Sequence, residues 1–118
     1  MAVLTRDAVN HRLANDLRCV LIDVLDPERY CDYHLPDAIN IPYGNDFDWE
    51  MQAAVPDRTT PVIIYSLNAG CPVANAAAQR ARQLGYQEVY RYAGGKEDWA
   101  NVRLPVERCP REEEVVVC

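Results

Sequence analysis

The chain has 118 residues, with 49% hydrophobic and 25% charged residues, the balance of one ordinary domain with a core of its own and no room for a second. Twelve Lys and Arg against eighteen Asp and Glu give a net charge of −6, which excludes a broad basic footprint for nucleic acid or anionic lipid. Any anion must be held locally.

The first element predicted is a helix opened by Thr5 as N-cap, with Ala8, Val9, Leu13 and Leu17 at helical spacing. Cys19-Val20-Leu21-Ile22-Asp23-Val24 is a short, mostly apolar run and reads as a buried strand. Asp26-Pro27 then starts a short helix through about Tyr30, with Asp26 as cap and Pro27 in the first turn. A Pro36-Asp37 turn leads into a short strand over Ala38-Ile39-Asn40-Ile41, closed by Pro42. Gly44-Asn45-Asp46 opens a loop and a helix with Phe47, Met51 and Val55 four apart, closed by Pro56-Asp57.

Val62-Ile63-Ile64-Tyr65 has the pattern of a central parallel strand. From Pro72 to Leu84, Ala74, Ala77, Ala78, Ala81 and Leu84 share one helical face, narrow enough to let a helix approach a sheet closely. Gly85 stops that helix, Glu88-Val89-Tyr90-Arg91-Tyr92 is a further strand, and Gly94-Gly95 turns the chain into a last helix carrying Trp99 and ending near Arg103-Leu104-Pro105. Alternating strands and helices with short turns predict a parallel α/β sandwich with helices on both faces. The domain is expected over 1–107 and a tail over 108–118, where Glu112-Glu113-Glu114 reads as solvated and Val115-Val116-Val117 as a candidate edge strand.

Five cysteines, Cys19, Cys31, Cys71, Cys109 and Cys118, are odd in number and irregular in spacing, so reduced thiols are expected. Cys19 reads as buried and inert, and Cys109 and Cys118, which flank the acidic tail, as incidental thiols for which a labile disulfide or a sulfur relay stays open without support from spacing. Without a Cys-x-x-Cys pair, and with His11 and His34 far from any cysteine cluster, no metal site is expected. No apolar stretch approaches the roughly 20 residues that span a bilayer, and the first residues lack a signal peptide's apolar core, so the reading is cytoplasmic.

In open parallel sheets, ligands bind at the carboxyl ends of strands, and the loop Ser66-Leu67-Asn68-Ala69-Gly70-Cys71 occupies such an end. With Pro72 in the first helical position, Cys71 falls at or beside the N-cap, where loop and helix amides cradle an anion without basic side chains. The same field favours a thiolate at Cys71. Asp23 at a strand end reads as a tie for the neighbouring loop, His34 as a turn histidine beside Pro36, and Tyr65 and Trp99 as core.

Leu21-Ile22-Asp23-Val24, Asp26-Pro27-Glu28-Arg29-Tyr30, His34-Leu35-Pro36-Asp37-Ala38-Ile39-Asn40-Ile41-Pro42 and Val62-Ile63-Ile64-Tyr65 follow one another in an order that resembles single-domain rhodaneses. Gly85-Tyr86, Val89-Tyr90, Ala93-Gly94-Gly95, Trp99 and Leu104-Pro105-Val106-Glu107 continue it. The resemblance implies a three-layer sandwich and sulfane-sulfur transfer through a cysteine persulfide, from a small sulfur-containing anion such as thiosulfate to a thiol acceptor, with no cofactor or metal.

The departures fall on the loop. Ser66 stands where rhodaneses carry the persulfide cysteine, and Cys71 where they usually have arginine; one subset has cysteines at both ends, of which only the second is present here. Leu25 replaces a common arginine, and Tyr33 a common glycine before His34. A serine oxygen does not carry sulfane sulfur, so ordinary turnover through Ser66 is not expected. Three readings stay open: Ser66 is a deliberate replacement of a natural cysteine; Cys71 is the working thiol, with Ser66 helping to bind the anion; or the domain is a binding or regulatory module without sulfur transfer. In either active case Leu67, Asn68, Ala69, Gly70 and Cys71 supply the amides that bind the substrate. Phosphatase or arsenate-reductase chemistry needs an arginine at the loop end, whereas Arg80 and Arg82 lie well into the helix.

Overall fold

The computed structural model of the protein describes residues 2–110. Five strands, β1 (Ala2–Leu4), β2 (Val20–Asp23), β3 (Ile39–Asn40), β4 (Val62–Tyr65) and β5 (Val89–Tyr92), form one parallel sheet in the order β1-β5-β4-β2-β3. Five helices, α1 (Arg6–Asn15), α2 (Pro27–Asp32), α3 (Phe47–Ala54), α4 (Val73–Gln83) and α5 (Gly95–Asn101), cover its two faces. β4 is central because all four of its residues are apolar enough to be buried on both faces, as they are.

Two cores lie on either side of it. On one, Ile22, Val62 and Ile64 meet Phe47 and Met51 of α3 and the alanine face of α4, where Ala74, Ala77, Ala78 and Ala81 are all buried. On the other, Leu21, Ile63 and Tyr65 meet Val9 of α1 and Trp99 of α5. Each large apolar side chain so buried contributes roughly 1.5–3 kcal/mol, and the alternation along β4 is what divides them between faces.

Several local expectations are met in atomic detail. The Thr5 hydroxyl accepts from the Ala8 amide at 3.2 Å, and the Asp26 carboxylate from the Arg29 amide at 3.0 Å, with Pro27 in the first turn of α2. Gly85 ends α4 with φ +101°.

Others are corrected. The strand β1 precedes the first helix; it is three residues long and exists through its pairing with β5. Leu17 does not extend the apolar face of α1: the helix ends at Asn15, the Asp16 carboxylate accepts from the Arg18 amide at 3.0 Å, and the resulting turn leaves Leu17 98% exposed. The cysteines are not all reduced. Cys31 at the end of α2 is bonded to Cys109, with Cα atoms 4.6 Å apart, so Cys109 pairs with Cys31 and not with Cys118. Backbone pairing brings the two together, since the Cys109 amide donates to the Cys31 carbonyl at 3.1 Å, and His34 and Glu107 form an antiparallel bridge. Cys109 is thus tied to the end of α2. The acidic triplet, the three valines and Cys118 lie outside the described residues.

Candidate active site

The loop 66–71 leaves the carboxyl end of the central strand and enters α4, and its shape comes largely from Asn68. The Asn68 carbonyl accepts from the Cys71 amide at 3.1 Å, its side-chain oxygen accepts from the Gly70 amide at 3.1 Å, and its Nδ2 donates to Glu97 at 2.8 Å. Two of the five amides expected to face a ligand, those of Gly70 and Cys71, are therefore spent on closing the loop. The start of α5 holds the other side: the amides of Lys96 and Glu97 donate to the carbonyls of Ser66 and Leu67, both at 3.0 Å. Gly95 makes this approach possible, with φ +69° and no side chain between it and the backbone of Leu67 and Asn68.

Cys71 sits half-buried one residue before the Pro72 cap. Pro72 offers no side-chain cap to α4, and the nearby Val73 amide favours the charged form of Cys71. Burial alone would push this thiol up, but hydrogen bonds from the Ser66 hydroxyl and the Val73 and Leu67 amides, with the charge of Arg29, more than offset it and hold it below the ordinary thiol range. Ser66 itself is 1% exposed, so its hydroxyl serves the interior of the loop. The loop's exposed rim is Ala69 and Gly70.

Cys19, the other free cysteine among the described residues, lies in the opposite situation: burial pushes its thiol up to about 11. Iodoacetamide at about pH 8 is accordingly expected to label the Cys71 peptide at least about tenfold faster than the Cys19 peptide. Peptide-resolved mass spectrometry reads both rates at once, and equal labelling would contradict an activated Cys71.

Asp23 and His34 lie behind the loop. The Asp23 carboxylate accepts from the Leu25 amide at 2.9 Å, and burial raises it, against the Leu25 amide, the Tyr65 hydroxyl, Lys96 and His34, which favour its charge. Its carbonyl accepts from Asn40, which also donates to the Leu25 carbonyl at 2.8 Å. His34 stacks on Tyr30 with ring centroids 3.8 Å apart, and its Nδ1 hydrogen-bonds to the Tyr30 carbonyl at 2.7 Å. The buried Tyr65 hydroxyl accepts from the Leu35 amide at 3.1 Å. These groups fix the ends of β2 and β4 and make no contact with the Cys71 sulfur.

Two residues of the site were not singled out from the sequence. Arg29, on α2 and paired with Asp26 at 3.7 Å, favours the Cys71 thiolate less than the hydrogen bonds do. Lys96 is buried at the start of α5. Arg29 sits in a segment that the family resemblance had marked, but nothing local says which way its side chain turns; a lysine after two glycines reads as solvent-exposed. Arg80, by contrast, is engaged with Asp48 at 2.8 Å, on the far part of α4. Among the described residues no group of three or more His, Cys, Asp or Glu is placed to hold a metal ion. Nor is any helix there long and apolar enough to cross a membrane.

The fold and loop together define a parallel α/β domain with a free cysteine on the loop that leaves the carboxyl end of its central strand. Residues 5–102 match the model of the Rhodanese-like domain family, and the chain belongs to that family. It is 28% identical over 97 residues to the thiosulfate:glutathione sulfurtransferase of Saccharomyces cerevisiae, covering 74% of this chain and 68% of that protein. It is 32% identical over 106 residues to the HTH-type transcriptional regulator Rv0324 of Mycobacterium tuberculosis, covering 90% of this chain but only 44% of the regulator. Among solved structures, a thiosulfate sulfurtransferase from Pseudomonas aeruginosa superimposes with a TM-score of 0.78 at 32% identity, over 92% of this chain and 20% of that one. The BH2092 protein of Bacillus halodurans does so with 0.79 at 25% identity, over 91% and 77%.

Proposed function

We propose that this domain carries sulfane sulfur on Cys71, taking it from a small anionic donor of the thiosulfate kind and passing it to a thiol. The observation that carries the reading is the place of Cys71, half-buried at the start of α4 beyond the carboxyl end of the central strand, where the Ser66 hydroxyl, the Val73 and Leu67 amides and the charge of Arg29 favour its thiolate. Such a site stabilises a thiolate, and equally the anionic persulfide that replaces it. The thiolate attacks the outer sulfur of thiosulfate; the S–S bond breaks, sulfite leaves with the electron pair, and Cys71 holds the persulfide. An acceptor thiolate then attacks that terminal sulfur, forms its own persulfide and returns Cys71 as thiolate. The yeast relative, which is a thiosulfate:glutathione sulfurtransferase, supports this class of donor and acceptor.

A cytoplasmic setting with its pool of thiols goes with this reading. The Cys31–Cys109 bond runs against it, since structural disulfides belong mainly to oxidising compartments. A second reading, a binding module without turnover, is favoured by Ser66 at the end of the central strand, and by the regulator of which this chain spans less than half.

Intact-mass and peptide analysis after incubation with thiosulfate separates the two. Addition of about 32 Da to the Cys71 peptide, absent in Cys71→Ala, is the expected result. Addition only in Ser66→Cys, at position 66, would assign the carrier role to that position and overturn the one given to Cys71. Addition in none of the three proteins would leave the binding module.

A further inference from the structure

The Asn68 side chain uses both ends of its amide. Its oxygen accepts from the Gly70 amide at 3.1 Å, and its nitrogen donates to the Glu97 carboxylate at 2.8 Å. The orientation is forced, because a carboxylate only accepts and a backbone N–H only donates: turned over, the side chain would set oxygen against oxygen and N–H against N–H. Glu97 is itself fixed, since its backbone amide donates to the Leu67 carbonyl at 3.0 Å. One residue of α5 thus holds two consecutive residues of the loop, and through the second of them it holds Gly70.

These bonds bear on the anion that the loop has to bind. The loop 66–71 carries no basic side chain, so its backbone amides are the donors it can offer. The Cys71 amide is closed on the Asn68 carbonyl at 3.1 Å, a main-chain bond open to any residue at 68. The Gly70 amide differs in being taken by a side chain, on the exposed rim of the loop. An anion that uses this amide has to displace the Asn68 oxygen first, with the Glu97 carboxylate behind it adding like charge.

We infer that Asn68 is a specificity-determining residue of the loop: its side chain, held by Glu97, occupies the Gly70 amide and so weakens the binding of a small, doubly charged anion. The inference rests on the loop binding the anionic donor of the proposed function, but not on Cys71 carrying sulfur, and the two are read separately.

The test is a titration with sulfate, which has the charge and tetrahedral shape of thiosulfate but no sulfur to transfer, followed by the amide signals of isotope-labelled glycine. The chain has five glycines, and the signal missing from Gly70→Ala is that of Gly70. Sodium chloride at matched ionic strength is the blank. Asn68→Ala is expected to bind sulfate about fivefold more tightly than the native protein, with the Gly70 signal moving along the same curve. Asn68 does not have a positive φ, so alanine fits its backbone. Glu97→Gln keeps an acceptor for the Asn68 nitrogen and should stay within about twofold of native. Glu97→Ala releases the side chain and should lie between native and Asn68→Ala; it also serves if Asn68→Ala does not fold. A purely structural asparagine predicts the opposite sign, because its loss would loosen the loop and weaken sulfate binding. Equal or weaker binding in the folded Asn68→Ala and Glu97→Ala variants, a Gly70 signal that does not follow the sulfate, a gain in Glu97→Gln equal to that in Asn68→Ala, or the same shifts in chloride would each overturn the inference. Thiosulfate labelling is independent of it: tighter sulfate binding in Asn68→Ala without added sulfur in any of the proteins keeps the role of Asn68 and removes the carrier reading alone.

Discussion

Gly95→Ala is expected to destabilise the protein by about 3 kcal/mol and to abolish the preferential alkylation of Cys71. A Cβ at this position would lie 2.7 Å from the Asn68 nitrogen and from the Leu67 carbonyl carbon and oxygen. All three are main-chain atoms, so relief requires moving the loop, not a side chain. The φ of +69° adds the cost of a left-handed conformation for alanine, about 1 kcal/mol. Moving the loop breaks the hydrogen bonds from the Lys96 and Glu97 amides and displaces the Leu67 amide from the Cys71 sulfur. Gly85→Ala is the internal control. Its φ is +101°, but the nearest atoms to its Cβ are those of the Arg58 side chain at 3.8 Å and beyond, so about 1 kcal/mol and no change at Cys71 are expected. Urea denaturation gives the stabilities and peptide-resolved alkylation the site. Equal losses in the two variants would show that the loop yields to the added methyl group.

Opening the Cys31–Cys109 bond is expected to cost about 2–4 kcal/mol. The bonded residues are 78 apart in sequence, so the cross-link removes most of the freedom of the unfolded chain. It also closes the far end of α2, so that reduction leaves Tyr30, the bond from Lys96 to the Arg29 carbonyl and the His34–Glu107 bridge to hold that corner. Urea unfolding with and without a phosphine reductant measures the effect. Cys31→Ser/Cys109→Ser should match the reduced native protein and be insensitive to the reductant. Unchanged midpoints on reduction, with both thiols shown to be free, would remove the bond as a source of stability.

Those two sites differ in what their sequences disclose. Gly95 stands in a Gly-Gly pair after a strand, which announces a turn; that the turn presses on the backbone of residues 67 and 68 is set by α5 docking against the loop. Cys31 and Cys109 carry no mutual signal, because their approach is made by the His34–Glu107 bridge and the return of the chain to α2. For the same reason β1 escaped notice: three residues are too few for a periodic pattern, and the strand is defined by β5. Leu17 failed in the other direction, since helical spacing continued past a turn that the Asp16 carboxylate closes.

Read alone, the sequence determined the order of the main strands and helices, the caps at Thr5 and Asp26, the central place of Val62–Tyr65, and the loop on which chemistry falls. It also determined that this loop offers a thiol at 71 and a hydroxyl at 66. These follow from patterns within a turn or a strand's length, where side-chain period and capping preference act locally. The tertiary structure decided which charge reaches Cys71, which loop amides are already spent, which cysteines are bonded, and that Lys96 is buried. Each of these depends on segments tens of residues apart meeting at one point, and a contact of that kind leaves no periodic trace in either segment.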